Sequence, residues 1–232
     1  MRHKVVVTSN IVRLLYALEQ LGRRGAGEEG MGLLWGLPGE GKSTAIGYVV
    51  NHHGGLFLRA RVTWSVTSML RALLAELSLE GGYFRDPMME AVIRELLRAP
   101  RPIFVDEADY LFRNAEMLDA LRDIYDNTRV PVVLIGMEDI ARRMRTHERL
   151  SRFRRRITEW IEFRGLAQED ARRLADELCE VEVGRDLLER VYNEAAGNVG
   201  KIVIALSKIE RLGFANSLPC VDLEHFAARS LS

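Results

Sequence analysis

The chain has 232 residues, enough for one α/β domain with a small appendage or for two small domains. Lysine plus arginine and aspartate plus glutamate each total 33, so the net charge is zero. That balance excludes a globally basic chain and restricts any nucleic-acid surface to a local patch. The hydrophobic fraction of 47% suits a globular protein with a real core. No window approaches the roughly 18 uninterrupted apolar residues of a membrane span, and the first residues carry charge without a long apolar run, so a cytoplasmic location is expected. Only Lys4, Lys42, Lys201 and Lys208 are lysines; the arginine excess suits phosphate forks and interface pairs, or reflects a GC-rich genome. Cys179 and Cys220 lack metal-ligand spacing and read as buried thiols. His52 and His53 are adjacent and cannot both face one metal, so no metal-ligand cluster is expected.

In chain order, apolar residues at Ile11, Leu14, Leu15, Leu18 and Leu21 predict a helix over 10–24, with Asn10 as its N-cap. The glycine-rich, acidic stretch 22–32 is a loop. Residues 31–35 form a short apolar run that predicts a buried strand, followed by the Gly/Pro loop 36–41 and a helix over 42–51. A second strand is expected at 55–59, amphipathic helices at 65–79 and 87–98, and a third strand at 102–105 ending in Asp106-Glu107. A helix over 115–128, a fourth strand at 131–135, a helical stretch with breaks over 138–156 and an alternating strand at 159–163 complete the pattern. Strands spaced by such helices imply right-handed crossovers and a parallel sheet. After Gly165 the pattern is helical only, over 168–181, 184–196, 199–212 and 222–230. The expected division is an α/β core over 1–165 and a helical domain over 166–232.

Gly36-Leu37-Pro38-Gly39-Glu40-Gly41-Lys42-Ser43 matches G-x-x-x-x-G-K-S. Backbone amides of such a turn cradle phosphates, where side chains would block the approach. Lys42 reaches the β- and γ-phosphates, Ser43 holds Mg²⁺, and the helix N-terminus adds its positive end. The loop lies between an apolar strand and a helix, the context a phosphate-binding loop requires. Asp106 and Glu107 end a buried strand, and the C-terminal edge of a parallel sheet is where ligands bind. Asp106 would hold Mg²⁺ through water, and Glu107 would polarise the attacking water as general base.

The loop continuing into Thr44, the Asp106-Glu107 pair, five strands and a helical C-terminal part together resemble the AAA+ ATPases over nearly the whole chain. The resemblance implies a P-loop α/β fold with a five-stranded parallel sheet in the order 5-1-4-3-2 and a C-terminal helical lid. It also implies ATP held by Gly36, Pro38, Gly39, Glu40, Gly41, Lys42, Ser43, Thr44 and Asp106, between core and lid and often at a subunit interface. Ser151-Arg152 looks like the arginine-finger element of clamp-loader-type members, which makes Arg152 the finger, with Arg149, Arg155 and Arg156 as competitors. Gly197-Asn198-Val199-Gly200-Lys201 resembles the start of the lid helix that carries a γ-phosphate-sensing cation, which would be Lys201. The family's usual cation stands one place earlier, where this chain has Gly200. After the fourth strand the family usually places Asn or Thr; this chain reads Ile135-Gly136-Met137-Glu138, so slow or partner-activated hydrolysis is expected.

Thr8-Ser9-Asn10 with the helix after it, Gly30 to Gly36, and Leu150-Ser151-Arg152-Phe153-Arg154-Arg155-Arg156-Ile157 look like transposition ATPases of the phage Mu B, TnsC and TniB kind. That resemblance implies a homo-oligomer, ring or helical filament, that assembles with ATP on double-stranded DNA without sequence preference and stimulates a transposase in a bacterial host. The extra N-terminal DNA-binding domain of the Mu B type is not seen, so DNA contact falls to the core. Arg59, Arg61 and Trp64 follow the second strand, where a cation and an aromatic can hold phosphate and stack a base; Trp64 equally suits core packing. Arg113 would face the same channel. A second basic cluster, 142–156, holds eight arginines against the single acid Glu148. Two other readings stay open: a helicase loader of the IstB/DnaC kind, and an assembly or secretion switch of the ExeA kind.

Overall fold

A computed structural model describes residues 1–25 and 27–226, apart from the side chains of Arg149 and Phe226. The elements are α1 (Ser9–Arg23), β1 (Met31–Trp35), α2 (Lys42–His53), β2 (Leu56–Arg59), α3 (Val66–Glu76), α4 (Arg85–Arg98), β3 (Ile103–Asp106), α5 (Ala115–Thr128), β4 (Val132–Gly136), α6 (Glu138–Thr146), α7 (Ser151–Arg154), β5 (Ile157–Glu162), α8 (Gln168–Leu178), β6 (Glu182–Val183), α9 (Arg185–Ala195), α10 (Val199–Ala215) and β7 (Cys220–Val221).

Five strands form one parallel sheet in the order β2-β3-β4-β1-β5, the expected order. The central strands β1, β3 and β4 are buried along their whole length, as a parallel sheet covered on both faces requires. Their side chains join the buried faces of α3, α4 and α5 in one core that includes Leu33, Leu73, Val92, Val105, Leu121 and Leu134. Local chemistry sets the helix starts. Ser65 and Ser68 make a reciprocal capping box at α3, and the Asn114 side chain accepts from Glu116 N at α5.

The chain folds as two compact units. One comprises Leu14–Gly36 and Lys42–Glu162 and contains the five-stranded sheet. The other comprises Met1–Arg13, Leu37–Gly41 and the described residues from Phe163 onward. This second unit has its own core, built from Leu174, Leu188, Val191, Ile202, Leu206 and Ile209 with Val6. Its N-terminal segment is tied down by Arg2 N donating to Leu178 O at 2.8 Å and by the Arg173 guanidinium donating to Val7 O at 2.8 Å.

The structure departs from the sequence-based expectations in four places. Helix α1 begins at Ser9, and Asn10 does not cap it; its side-chain amide donates to Arg164 O at 2.8 Å and its oxygen accepts from Arg164 N at 3.2 Å. The C-terminal unit is not purely helical: β6 and β7 pair in parallel, each two residues long, too short to leave a periodic signal. The expected helix over 222–230 is a 3₁₀ turn, Leu223–Phe226, and its remainder lies outside the described residues. Cys179 is buried, and burial pushes its thiol up to about 11, whereas Cys220 is only half-buried beside Asp222. Among the described residues no helix is long and apolar enough to cross a membrane.

Candidate functional site

Strands β1, β2 and β3 run parallel, so their C-terminal ends open on the same edge of the sheet. At the end of β1 the chain enters the loop 36–41. Gly39 and Gly41 both take φ of +80°, the left-handed region that only glycine enters without strain. The Leu37 N–H is met by Glu40 Oε2 at 2.7 Å, and Glu40 is 5% exposed. Lys42 opens α2, and its ammonium donates to Gly36 O at 2.6 Å, closing the loop on its own first carbonyl. Ser43 follows, and its hydroxyl donates to Asp106 Oδ2 at 2.8 Å. Asp106 is the last residue of β3 and is buried, 5% exposed.

Glu107 comes next and takes a left-handed conformation, φ 56° and ψ 32°, uncommon outside glycine and concentrated at functional sites. Its backbone N–H donates to Asp106 Oδ1 at 2.9 Å, so one carboxylate of the pair holds the turn that aims the other. Glu107 Oε1 in turn accepts from Arg59 Nη2 at 3.2 Å. Arg59 ends β2, and the register Arg59↔Asp106 places it opposite the acid pair. The sequence pattern offers Arg59 to DNA; in the structure its guanidinium lies against Glu107. The β2–β3 pairing responsible is a long-range contact that local pattern does not reveal.

Three further hydrogen bonds go beyond the roles that the sequence motifs assign. Asp109 Oδ2 accepts from Met137 N at 3.0 Å just beyond β4. Burial raises the Asp109 carboxyl above its ordinary value, against the lowering effect of the Met137 N–H and the Arg143 charge. In the other unit, the Asn198 side chain donates to Pro38 O at 2.8 Å, and Gly200 N donates to Gly39 O at 2.9 Å. An added Cβ on Gly39 would stand 2.7 Å from Asn198 Oδ1, so that position requires glycine twice over. Gly200, at the family's usual place for a cation, instead brings backbone to backbone. Lys201 is exposed, and its backbone N–H donates to Asn198 Oδ1 at 3.1 Å, the capping bond that starts α10.

The arginines expected at partners fall into two groups. Arg61 and Arg113 are exposed; Arg113 lies over the Tyr110 ring at 5.3 Å. Trp64 is half-buried and packs against the main core, which favours the packing reading for it. Most of the basic stretch 142–156 is engaged. Arg142 donates to Asp139 at 3.0 Å, Arg143 covers Phe112 at 5.0 Å, and Arg145 covers Trp160 at 4.7 Å. Arg154 donates to Arg145 O, and Arg156 grips Asp126 at 2.6 and 2.5 Å. That carboxylate raises the Arg156 guanidinium above its ordinary value. Among the finger candidates, Arg156 is therefore committed, Arg152 and Arg155 are exposed, and the Arg149 side chain lies outside the described residues.

A family model described as AAA domain matches residues 23–144, more than half of the chain. The chain belongs to the AAA-domain family. The matched span contains the loop 36–43, β2 with Arg59, and the Asp106-Glu107 turn. Solved structures agree on the fold. The ORC2 protein of Aeropyrum pernix, solved with ADPNP and ADP, is similar at a TM-score of 0.72 and 17% identity, over 92% of this chain and 65% of that one. The ORC1 protein of the same organism, in complex with DNA, is similar at 0.65 and 19%, over 96% and 65%. Cdc6p of Pyrobaculum aerophilum is similar at 0.65 and 14%, over 91% and 62%. The chain thus spans less than two-thirds of the length of each. No curated protein matches it by sequence.

Proposed function

We propose that this AAA-domain protein is an AAA+ ATPase that assembles on DNA in its ATP-bound state and regulates transposition by stimulating a transposase. The observation that carries the nucleotide half is the convergence of Ser43, Asp106 and Glu107: a hydroxyl on a buried carboxylate at 2.8 Å, with a second carboxylate beside it. Hard oxygen donors of this kind fit Mg²⁺, which takes one or two protein oxygens and keeps its remaining sites for water and phosphate. Ser43 and Asp106 would hold it, and Mg²⁺ when bound supplies neutralising charge to the phosphate oxygens. The amides of 36–41, the Lys42 ammonium, Thr44 and the α2 N-terminus bind the phosphates. Glu107 takes the proton of the attacking water, and Arg59, paired to it, restrains its carboxylate. Arg152 reaches a neighbouring subunit's nucleotide, and residues 166–232 act as the lid, with Lys201 as its cation.

The DNA half rests on Arg61 and Arg113, exposed beyond β2 and β3, together with the sequence resemblance to transposition ATPases. A fold shared with a protein solved on DNA supports it. Phosphate contacts by exposed arginines carry no base information, so the DNA sequence is not read; that the DNA is double-stranded follows from the resemblance to transposition ATPases.

Lys42→Ala tests the nucleotide half. The ammonium donates to the loop's own first carbonyl, and Lys42 belongs to neither hydrophobic core, so its loss leaves both cores intact. ATP binding should be lost while the melting temperature stays within a few degrees of wild type. A folded Lys42→Ala protein that binds ATP with unchanged affinity would end this reading.

A further inference from the structure

The tip of β4, Ile135-Gly136-Met137, offers no side-chain amide or hydroxyl, yet a polar group does stand there. It comes from another element. Asp109 lies in the 3₁₀ turn that follows Glu107, and its Oδ2 accepts from Met137 N at 3.0 Å. Gly136 makes room for it. An added Cβ at 136 would stand 2.5 Å from Asp109 Oδ2 and 2.8 Å from Ile140 Cδ1, both well inside contact distance. Glycine at 136 and aspartate at 109 are therefore one arrangement, in which the side chain missing from β4 is replaced by a carboxylate reaching across from the 3₁₀ turn that follows β3.

This bond sits where the sheet stops holding the two strands together. The β3–β4 register runs Ile103↔Val132, Phe104↔Val133 and Val105↔Leu134, and ends there. Asp106 and Glu107 lie past its end with no partner on β4 in the ladder. Glu107 is also in a left-handed conformation that persists only when its surroundings over-determine it. Glu107 itself is fixed by Glu107 N donating to Asp106 Oδ1 at 2.9 Å and Tyr110 N donating to Glu107 O at 3.1 Å, and Met137 N donating to Asp109 Oδ2 at 3.0 Å ties the same turn to the β4 tip.

We propose that Asp109 is a positioning residue for ATP hydrolysis, its carboxylate seated in the space left by Gly136 so as to lock the Glu107 turn to the tip of β4. The proposal rests on the reading of Glu107 as general base. Misplacing a reacting group by about 1 Å costs on the order of 10²-fold in rate, which sets the scale of the expected effect. Nucleotide binding belongs to the loop 36–43 and should be spared.

The test is steady-state ATPase kinetics, ATP affinity and thermal melting on the full chain. Asp109→Ala should lower kcat by roughly 10–10²-fold with KM within about threefold of wild type. Asp109→Asn should recover most of kcat, because its amide oxygen accepts the same N–H. It should melt no lower than wild type, because burial disfavours the Asp109 charge in the folded protein. Gly136→Ala should lower kcat as Asp109→Ala does, by pushing the carboxylate off Met137. Asp109→Ala combined with Gly136→Ala should be no slower than the slower single variant, since both remove one interaction. A folded Asp109→Ala that turns over at the wild-type rate, or effects of the two changes that multiply, would overturn the proposal. If Asp109→Ala does not fold, Gly136→Ala decides: a kcat loss at unchanged KM supports the lock, and a wild-type rate removes it. Glu107→Gln run alongside separates the two readings. Full activity in Glu107→Gln sinks the general base itself, whereas an inactive Glu107→Gln beside a fully active Asp109→Ala sinks only the lock.

Discussion

Glu107→Gln should bind ATP as tightly as the wild-type protein and hydrolyse it roughly 10²–10⁴ times more slowly, the range for losing a general base. Glutamine keeps the length and shape of the side chain and removes its basicity. The backbone turn survives the change, because it is held by Glu107 N on Asp106 Oδ1 and not by the Glu107 carboxylate. The ion pair with Arg59 is lost, but the Arg59 side chain is 65% and the Glu107 side chain 41% exposed, and pairs so open to solvent contribute only about 0–1 kcal/mol. A melting temperature close to wild type with a collapsed kcat is therefore expected. The variant should also accumulate in its ATP-bound assembly. Turnover at the wild-type rate would place the base elsewhere.

The second large effect concerns Arg152. An arginine supplied in trans is worth about 10³–10⁵ in rate where it has been measured. Arg152 lies on α7 just before β5 and is exposed, and among the described residues its guanidinium makes no ion pair. It is thus available to a second copy of the chain, unlike Arg156, which is spent on Asp126. ATPase activity per subunit should rise with protein concentration in the wild type. In Arg152→Ala it should be low and flat across the same range, with the isolated subunit's ATP affinity unchanged. Arg155→Ala is the control. A rate per subunit independent of concentration, in a wild-type protein shown to be monomeric, rules the finger out.

Much of the fold is legible in the sequence because it is written locally. The run Met31-Gly32-Leu33-Leu34-Trp35 before a glycine loop reads as β1, and the helical pattern of 115–128 reads as α5 with its ends correct. What stays hidden is shorter than a period or is made by distant partners. Two-residue strands such as Glu182–Val183 and Cys220–Val221 cannot alternate long enough to be seen. The loop and the acid pair are legible in the site because each is a contiguous motif. The partners of that motif are not. Arg59 meets Glu107 through the β2–β3 register, Asp109 meets Met137 across the end of β4, and Asn198 meets Pro38 from the start of α10. For Asn198 a signal exists in Gly197-Asn198-Val199-Gly200-Lys201, but the residue that engages the loop there is the amide and not the cation. For Asp109 the signal is the glycine at 136, which in sequence looks like a missing side chain and in the structure is the space another side chain fills.

Whether ATP switches this chain onto DNA is tested most directly by a salt titration of binding to double-stranded DNA with a non-hydrolysable ATP analogue. Neutralised phosphates release counterions, so log K should fall linearly with log salt, with a slope of about −0.9 for each phosphate contact. Arg61→Ala should lower the affinity and flatten that slope by about one contact per subunit, uniformly across DNA sequences. Removing nucleotide, or changing Lys42 to alanine, should abolish the binding. Salt-sensitive binding that needs the analogue and loses one contact per subunit in Arg61→Ala is the result predicted. No binding at low salt with the analogue present would contradict a DNA-bound role and leave an ATPase that acts on a protein partner.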